Sequence, residues 1–257
     1  MSPNLEPLAA RDWIAGLEKG LHIIEAFDAA HARLTATEMG ERCGMTRTAA
    51  RRYLKTLVHL GYVGTDGKLY WLMPRILRLG HAYIESARLP RLVQPFLQRI
   101  TSGTDEIAYL AVLDGDDTIF IARCGLQRHT ATGYMPGTRL PAQVTAAGMV
   151  MLACGEEAEM DSWLQSHQLR SFTTFTVTGV EGFREQLMGF RRQGWSVSEQ
   201  QLELNFRGIA VPLLDRNNKM HGAISMTMPI NREETDHALN RILPVLQEAA
   251  RNLRPLL

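Results

Sequence analysis

The spacing of apolar residues along the chain predicts a helical N-terminal third and a remainder that mixes helices with strands. Apolar side chains recur every three or four positions from Leu17 to Phe27, which predicts a first helix that ends near Ala29–His31. Thr35 and Glu38 have the spacing of a capping box, in which each side chain bonds the other residue's free backbone N–H. They predict the start of a second helix.

A short turn that contains a glycine separates the second helix from a third. Gly44 suits the left-handed position that closes a helix, and Thr46 can cap a third helix that continues to about Leu60. Two helices joined by such a turn predict a helix-turn-helix. Two β-prone runs then flank Asp66 and Gly67, which is a strong hairpin signal, so a wing is predicted directly after the third helix.

The rest of the chain mixes predicted helices with predicted strands. Pro74 begins another amphipathic helix, and beyond Pro90 helical runs are interspersed with pairs of strands. We predict two strands around the turn Asp114–Asp117 and three more strands ahead of a closing helix from about Glu233 to Leu253. Hairpins covered by helices predict an α+β domain built on an antiparallel sheet.

Composition places limits on the class of protein. The chain has 257 residues, 45% of them hydrophobic, which is enough for about two ordinary domains. The net charge is +1, so any surface that binds nucleic acid must be a local concentration of charge. Three widely spaced cysteines favour reduced thiols in a cytoplasmic protein. We expect no signal peptide, because the N-terminal stretch MSPNLEPLAARDW lacks a basic region followed by an apolar run. We expect no membrane span, because no apolar run approaches roughly 20 residues.

The predicted third helix carries such a concentration of charge. Its apolar residues between Ala50 and Leu57 fall on one side, and no acidic residue occurs between Thr46 and Gly61. An ordinary solvated charged face is the alternative, but the second helix of a helix-turn-helix followed by a hairpin fits the major groove of DNA. The predicted DNA-binding residues are Thr46, Arg47, Thr48, Arg51, Arg52, Lys55 and, at the tip of the wing, Lys68.

Five stretches of the sequence together resemble the IclR family of bacterial transcriptional regulators. They are GLEKGLHIIEAF, RTAARRYLKTLVHLGYV, LRLGHAYI, GTRLPAQVTAAGMVMLA and GWSVSEQQLELNFRGIAVPLLDRNNKMHGAISMTMP. The stretches RTAARRYL and IARCGLQRHTATGYMPGTRLPAQ are most similar to the Pca/Pob-type branch, which governs the catabolism of aromatic acids.

The resemblance implies a ligand-responsive transcriptional regulator that works as a homodimer or tetramer on a double-stranded, palindromic operator. The implied effector is a small organic acid, such as an aromatic carboxylate or a product of its ring cleavage. The implied parts are a flexible arm (residues 1–12), a winged helix-turn-helix domain (13–73), a linker helix (74–89) and a GAF-like effector-binding domain (90–257).

The resemblance also implies which residues bind the effector. Carried over by motif, they are Ala146, Ala147, Gly148, Ser198, Gly208, Ser225 and Thr227. Small residues at a helix start expose backbone N–H groups that suit a carboxylate, and Ser225 and Thr227 alternate onto one face of a strand. The alternative interpretation is that these are ordinary strand and cap residues.

Three arginines flank the segments predicted to line the effector site. Arg123, Arg128 and Arg139 could each bind a ligand carboxylate with two hydrogen bonds, or could be surface or structural arginines. The sequence also departs from the family pattern. Met149 stands where the family usually has a basic residue, and Asn205 stands where it usually has a glycine.

An enzyme that processes a small molecule, or a sensor domain without DNA function, is the competing class. The chain has no G-x-S-x-G elbow, no P-loop and no nucleotide-binding G-x-G-x-x-G. Its eight histidines form neither an H-E-x-x-H pair nor a metal spacing with cysteine. We therefore expect no catalytic residue, no metal and no cofactor. A module that only oligomerises is a third possibility, which the predicted winged helix disfavours.

Overall fold

The computed structural model describes residues 8–9, 11–125 and 133–257. The chain divides into two compact units, Ser2–Ser86 and Ala87–Leu257. Most of the predicted arm over residues 1–12 lies outside the described residues, as does Arg128. Within the described ranges, no helix is long and apolar enough to cross a bilayer.

The first unit is a winged helix-turn-helix followed by one more helix. Its helices are α1 (Ala15–Glu25), α2 (Ala36–Arg42), α3 (Arg47–His59) and α4 (Leu77–Ser86). Its strands are β1 (Leu34–Thr35), β2 (Val63–Thr65) and β3 (Leu69–Leu72). They form a small antiparallel sheet in the order β1-β3-β2, which includes the predicted hairpin and adds the two-residue strand β1.

The ends of α2 and α3 form as the local sequence predicts. Both halves of the Thr35–Glu38 capping box are present at the start of α2. Gly44 adopts the left-handed conformation, with φ at +62°, in the turn between the helices. Thr46 caps α3 by accepting a hydrogen bond from the N–H of Ala49 at 3.2 Å. The predicted helix-turn-helix is therefore confirmed.

The first helix is shorter than predicted. It ends at Glu25 rather than near Ala29–His31. Asp28 stops it from continuing, because its carboxylate accepts the N–H of His31 at 2.7 Å and a hydrogen bond from Arg42 at 2.8 Å. Leu17 and Leu21, which belong to the apolar repeat, are 62% and 46% exposed, whereas Ile23 is buried.

The second unit has one sheet with helices on both faces. Its helices are α5 (Arg88–Thr104), α6 (Ala146–Cys154), α7 (Glu157–Ser166), α8 (Val180–Gln193) and α9 (Thr235–Leu253). Its strands are β4 (Ala108–Asp114), β5 (Asp117–Cys124), β6 (Arg139–Pro141), β7 (Ser196–Glu199), β8 (Phe206–Leu214) and β9 (Met220–Pro229).

All strand pairs of this sheet are antiparallel, in the order β6-β5-β4-β9-β8-β7. One face carries large aliphatic side chains that pack against α5 and α9, including Leu110, Ile209 and Ile224. The other face carries smaller side chains, including Ala111, Ala210 and Ala223, and packs against α6. The predicted α+β fold with an antiparallel sheet is confirmed. The face with small residues leaves room for a cavity.

Candidate functional site

The basic residues of α3 lie on its exposed side. Ala50, Leu54 and Leu57 are buried against the rest of the unit, so the opposite side of the helix faces solvent. All six predicted DNA-binding residues on or beside this helix are exposed: Thr46, Arg47, Thr48, Arg51, Arg52 and Lys55. The structure therefore brings them together on one open surface, although the hydroxyl of Thr46 already serves as the helix cap.

The cations of this surface differ from Arg33 and Arg42 of the same unit, which both have partners. Arg42 forms an ion pair with Asp28 at 2.8 Å, and Arg33 lies over the ring of Trp71 at 4.6 Å. Among the described residues, the four cations of α3 form no ion pair and no side-chain hydrogen bond. Their charge is therefore available for phosphates or base edges.

Lys68 lies at the tip of the wing. Asp66 organises this turn, because its carboxylate accepts the N–H groups of Lys68 and Leu69 at 2.9 and 2.7 Å. These hydrogen bonds lower the pKa of Asp66 below its ordinary value. The side chain of Lys68 is exposed, and the hydrogen-bonded turn between β2 and β3 holds its backbone in place.

The second unit contains a cavity between the small-residue face of the sheet and the start of α6. It has about 430 Å³ of empty space, a figure that includes the open solvent at its mouth. Six of the seven effector-binding residues carried over by motif line it: Ala146, Ala147, Ser198, Gly208, Ser225 and Thr227. Residues that lie far apart in the sequence thus converge on one space.

The start of α6 is held firmly on the sheet. Thr145 caps the helix by accepting the N–H of Gly148 at 3.1 Å. Ser196 donates to the carbonyl of Ala146 at 2.6 Å, and Ser198 donates to that of Val144 at 2.7 Å. Because a hydroxyl has one hydrogen, the donor of Ser198 is already used, and Ser198 contributes to the cavity wall rather than a free donor.

Ser225 and Thr227 are placed differently. They lie on β9, where Ser225 pairs with Ala210 and Thr227 pairs with Gly208 on β8, so both side chains are on the cavity face. Neither hydroxyl has a hydrogen-bond partner among the described residues. Each is therefore free to donate to a bound anion.

The glycines near α6 have two different roles. A Cβ on Gly208 would lie 3.2 Å from the Cβ of Ala146 and 3.8 Å from its N, so this glycine keeps the helix start open to the cavity. Gly148 does not line the cavity. A Cβ there would come within 2.4 Å of the carbonyl oxygen of Ala142, so Gly148 permits close packing behind the helix.

An aromatic wall completes the cavity, and sequence reasoning missed it. Phe120 and Tyr134 both line the space and stack with ring centroids 4.9 Å apart, and Tyr109 meets the edge of Phe120 at 5.2 Å. Burial and the nearby charge of Glu203 raise the pKa of Tyr134 to about 12, so its phenol stays protonated at neutral pH. Aromatic faces of this kind suit a flat, aromatic ligand.

Neither Arg123 nor Arg139 lines the cavity. Arg139 is half exposed and forms ion pairs with Asp114 at 2.8 Å and Asp117 at 3.0 Å, which gives it a structural role at the β4–β5 turn. Arg123 pairs with Tyr109 on the cavity face of the sheet, but its guanidinium reaches the sulfur of Met135 at 3.2 Å. Arg128 lies outside the described residues.

The described residues contain no group of three or more His, Cys, Asp or Glu side chains that could hold a metal ion. Burial raises the pKa of the Cys154 thiol to about 11, so at neutral pH it is not the thiolate that nucleophilic chemistry needs. The two surfaces described above thus offer binding groups: free cations on one and a donor-lined aromatic cavity on the other.

Two family models together match most of the chain. Residues 16–67 match the IclR helix-turn-helix domain, and residues 81–254 match the C-terminal domain of the bacterial transcriptional regulator IclR. The chain belongs to the IclR family of transcriptional regulators. For an IclR-family protein, the basic surface of α3 is part of the DNA-binding domain, and the cavity is part of the C-terminal domain.

Two curated relatives from Acinetobacter baylyi are similar to this chain along its length. The Pca operon regulatory protein is 36% identical over 260 residues, which span 100% of this chain and 94% of the relative. The p-hydroxybenzoate hydroxylase transcriptional activator is 36% identical over 256 residues, which span 98% of this chain and 94% of the relative.

One of the solved structures similar to this chain is a single domain with a bound ligand. It is the inducer-binding domain of a double mutant of the PobR transcription factor from Acinetobacter, in complex with 3-hydroxybenzoic acid. The likeness has a TM-score of 0.63 and 29% identity, and it covers 66% of this chain and 100% of that one.

Proposed function

We propose that this IclR-family regulator controls genes for the catabolism of an aromatic acid, and that it binds such an acid in the cavity beside α6. The observation that carries the proposal is the pairing of an aromatic wall with free donors. Phe120 and Tyr134 flank the same space as the hydroxyls of Ser225 and Thr227 and the start of α6. An aromatic carboxylate presents one flat apolar part and one anionic part, which match these two linings.

The carboxylate belongs at the start of α6. The first N–H groups of a helix have no partner within it, and the helix dipole favours negative charge there. Thr145 occupies the N–H of Gly148, which leaves the N–H groups of Ala146 and Ala147 beside the cavity. Ser225 and Thr227 add two hydroxyl donors from the sheet. Two curated relatives with regulatory names from aromatic-acid metabolism, and a related domain bound to 3-hydroxybenzoic acid, support this choice of ligand.

We further propose that α3 binds the operator through Arg47, Arg51, Arg52 and Lys55, with Thr46, Thr48 and Lys68 as additional contacts. The support is their exposure on the second helix of a helix-turn-helix and their lack of acidic partners in the described part of the chain. In this role the protein is a ligand-responsive DNA-binding protein and not an enzyme.

Titration calorimetry on the full chain tests the proposed ligand class. We expect heat of binding with benzoate or hydroxybenzoates and none with neutral analogues of the same shape, such as the benzamides, because the neutral group gains little from the helix start. Binding of neutral analogues alone, with no aromatic acid bound, would contradict the carboxylate assignment.

A homodimer, or a tetramer made from such dimers, is the proposed working form. The first unit exposes large apolar side chains on α1 and α4, including Leu17 at 62% and Leu77 at 71%, and no residue of α4 is buried. Exposed apolar patches of this kind mark protein interfaces, and a two-fold dimer places two reading helices on a palindromic site.

Introducing charge at these positions should separate the subunits. We expect the wild-type chain to sediment as a dimer or larger species at micromolar concentration, and the variant with Leu17→Glu and Leu77→Glu to sediment as a monomer. Exposed Leu204 lies in the second unit, so Leu204→Glu is the matched control and should leave the assembly intact. A wild-type monomer, with and without DNA, would refute the dimer proposal.

A further inference from the structure

One polar side chain in the cavity has no partner. Four buried side-chain atoms of the described residues lack a hydrogen bond: Trp163 Nε1, Gln186 Oε1, Arg191 Nε and Gln201 Oε1. Gln201 alone among these four lines the cavity, and only 6% of its surface is exposed. Buried amide oxygens in folded proteins nearly always accept a hydrogen bond, so a donor is missing at this place.

The segment that carries Gln201 is fixed from behind. Thr173 Oγ1 donates to the carbonyl of Gln200 at 2.6 Å, and Thr176 Oγ1 donates to that of Gln201 at 2.6 Å. The N–H of Gln200 donates to the carbonyl of Phe206 at 2.8 Å, and Asn205 donates its N–H to the side chain of Gln200 at 3.1 Å. The backbone carbonyls of Gln200 and Gln201 therefore have hydrogen-bond partners, and the unpaired atom belongs to an anchored residue.

The conformation of the segment depends on its sequence. Gln200 and Asn205 both adopt left-handed backbone conformations, with φ at +57° and +67°. Asparagine tolerates this region better than most residues, so Asn205 can adopt it without being a glycine. The segment thereby turns back toward β8 and carries Gln201 into the cavity wall.

The missing donor is best supplied by a ligand. A carboxylate cannot donate, and the neighbouring cavity residue Glu203 is an acid that offers only acceptors when ionised. A hydroxyl group on an aromatic ring is a neutral donor, and it would donate a hydrogen bond to the unpaired Oε1 of Gln201.

The sheet separates this amide from the donors for the carboxylate. Gln201 follows β7, whereas Ser225 and Thr227 lie on β9, with β8 between them. Ser198 on β7 pairs with Gly208 on β8, which pairs with Thr227 on β9. Strands β7 and β9 are therefore about 10 Å apart. A hydroxyl that reaches Gln201 must therefore lie across the ring from the carboxylate rather than beside it.

We propose that Gln201 is a specificity-determining residue that accepts a hydrogen bond from a ring hydroxyl, so that the cavity prefers 3- or 4-hydroxybenzoate to unsubstituted benzoate. This inference rests on the proposed function. The preference arises because benzoate leaves a buried acceptor unpaired, and a site built to pair a hydroxyl discriminates against the analogue that lacks it.

The test compares ligand affinities of three full-length proteins by calorimetry, with benzoate, 3-hydroxybenzoate and 4-hydroxybenzoate as probes. We expect the wild-type chain to bind at least one hydroxybenzoate about tenfold more tightly than benzoate. Gln201→Met keeps the length and apolar bulk of the side chain but lacks the acceptor, and it should reduce this ratio to about one by weakening the binding of the hydroxybenzoate. A thermal unfolding curve like that of the wild-type chain shows that the variant is folded.

Gln186→Met is the matched control. Gln186 has the same type of unpaired amide oxygen but lies on α8 and does not line the cavity. This variant should keep the preference of the wild-type chain for the hydroxybenzoate. Loss of the preference in both variants would overturn the assignment to Gln201.

The remaining outcomes separate this inference from the proposed function. Equal wild-type affinities for all three acids, or a preference that survives in Gln201→Met, overturn the role of Gln201 and leave the proposed function standing. A variant that loses benzoate and hydroxybenzoates alike shows a structural role and also overturns the inference. Failure of the wild-type chain to bind any of the three acids overturns both.

Discussion

Replacing both Arg47 and Arg51 by alanine is expected to abolish specific DNA binding while leaving the thermal unfolding of the protein nearly unchanged. Both side chains are exposed and have no acidic partner among the described residues, so their removal costs the fold little. Each contact to a base edge or phosphate contributes about 1–3 kcal/mol, so the double variant should lose roughly a hundredfold or more in affinity. A fluorescence anisotropy titration measures this, using the duplex that the wild-type chain selects from a random-sequence pool.

The control for this variant removes the same charge elsewhere. Arg216 and Lys219 are exposed in the turn between β8 and β9, outside the helix-turn-helix unit. The variant with Arg216→Ala and Lys219→Ala should bind the selected duplex like the wild-type chain. If instead the two variants lose affinity equally, the effect is one of net charge and α3 is not the reading helix.

Replacing Ser225 by alanine and Thr227 by valine is expected to remove most of the affinity for an aromatic acid. The two hydroxyls are free donors on one face of β9, and valine keeps the shape of threonine. A hydrogen bond to a charged group contributes about 1.5–3 kcal/mol, so losing two should weaken binding by about a hundredfold or more. Affinity for the selected duplex without ligand should not change.

Two exposed hydroxyls provide the matched control. Ser102 and Thr178 lie outside the cavity and make no hydrogen bond through their side chains in the described structure. The variant with Ser102→Ala and Thr178→Val should bind the aromatic acid with wild-type affinity. Calorimetric titrations that show equal affinities for the wild-type chain and the Ser225–Thr227 variant would exclude these hydroxyls as ligand donors.

The helix-turn-helix could be predicted from sequence because its signals are local. A capping box needs only Thr35 and Glu38, and a closing glycine needs only the backbone freedom of Gly44. The predicted end of α1 was wrong. The apolar spacing continues to Phe27, but the helix ends at Glu25, and the hydrogen bond from the N–H of His31 to Asp28 belongs to the turn that follows it. The strand β6 was missed because its three residues carry no periodicity of their own.

The candidate site could be predicted only in part. The small residues at the start of α6 and the alternating Ser225 and Thr227 are visible in the sequence, and the structure brings them together. The aromatic wall and Gln201 depend on contacts between segments far apart along the chain. Nothing in the sequence near Gln201 shows that its amide is buried without a partner, because that depends on how the segment turns back toward β8.

A regulator that responds to its ligand must couple the binding of the acid in the cavity to the binding of DNA at α3, and one measurement tests this coupling directly. The affinity of the full chain for 4-hydroxybenzoate is measured by calorimetry, first alone and then saturated with the selected duplex. Coupling requires the two affinities to differ, typically by five- to 150-fold, and the acid must change the affinity for DNA by the same factor. Equal affinity for the acid with and without bound DNA would contradict the claim that this protein responds to its ligand at the operator.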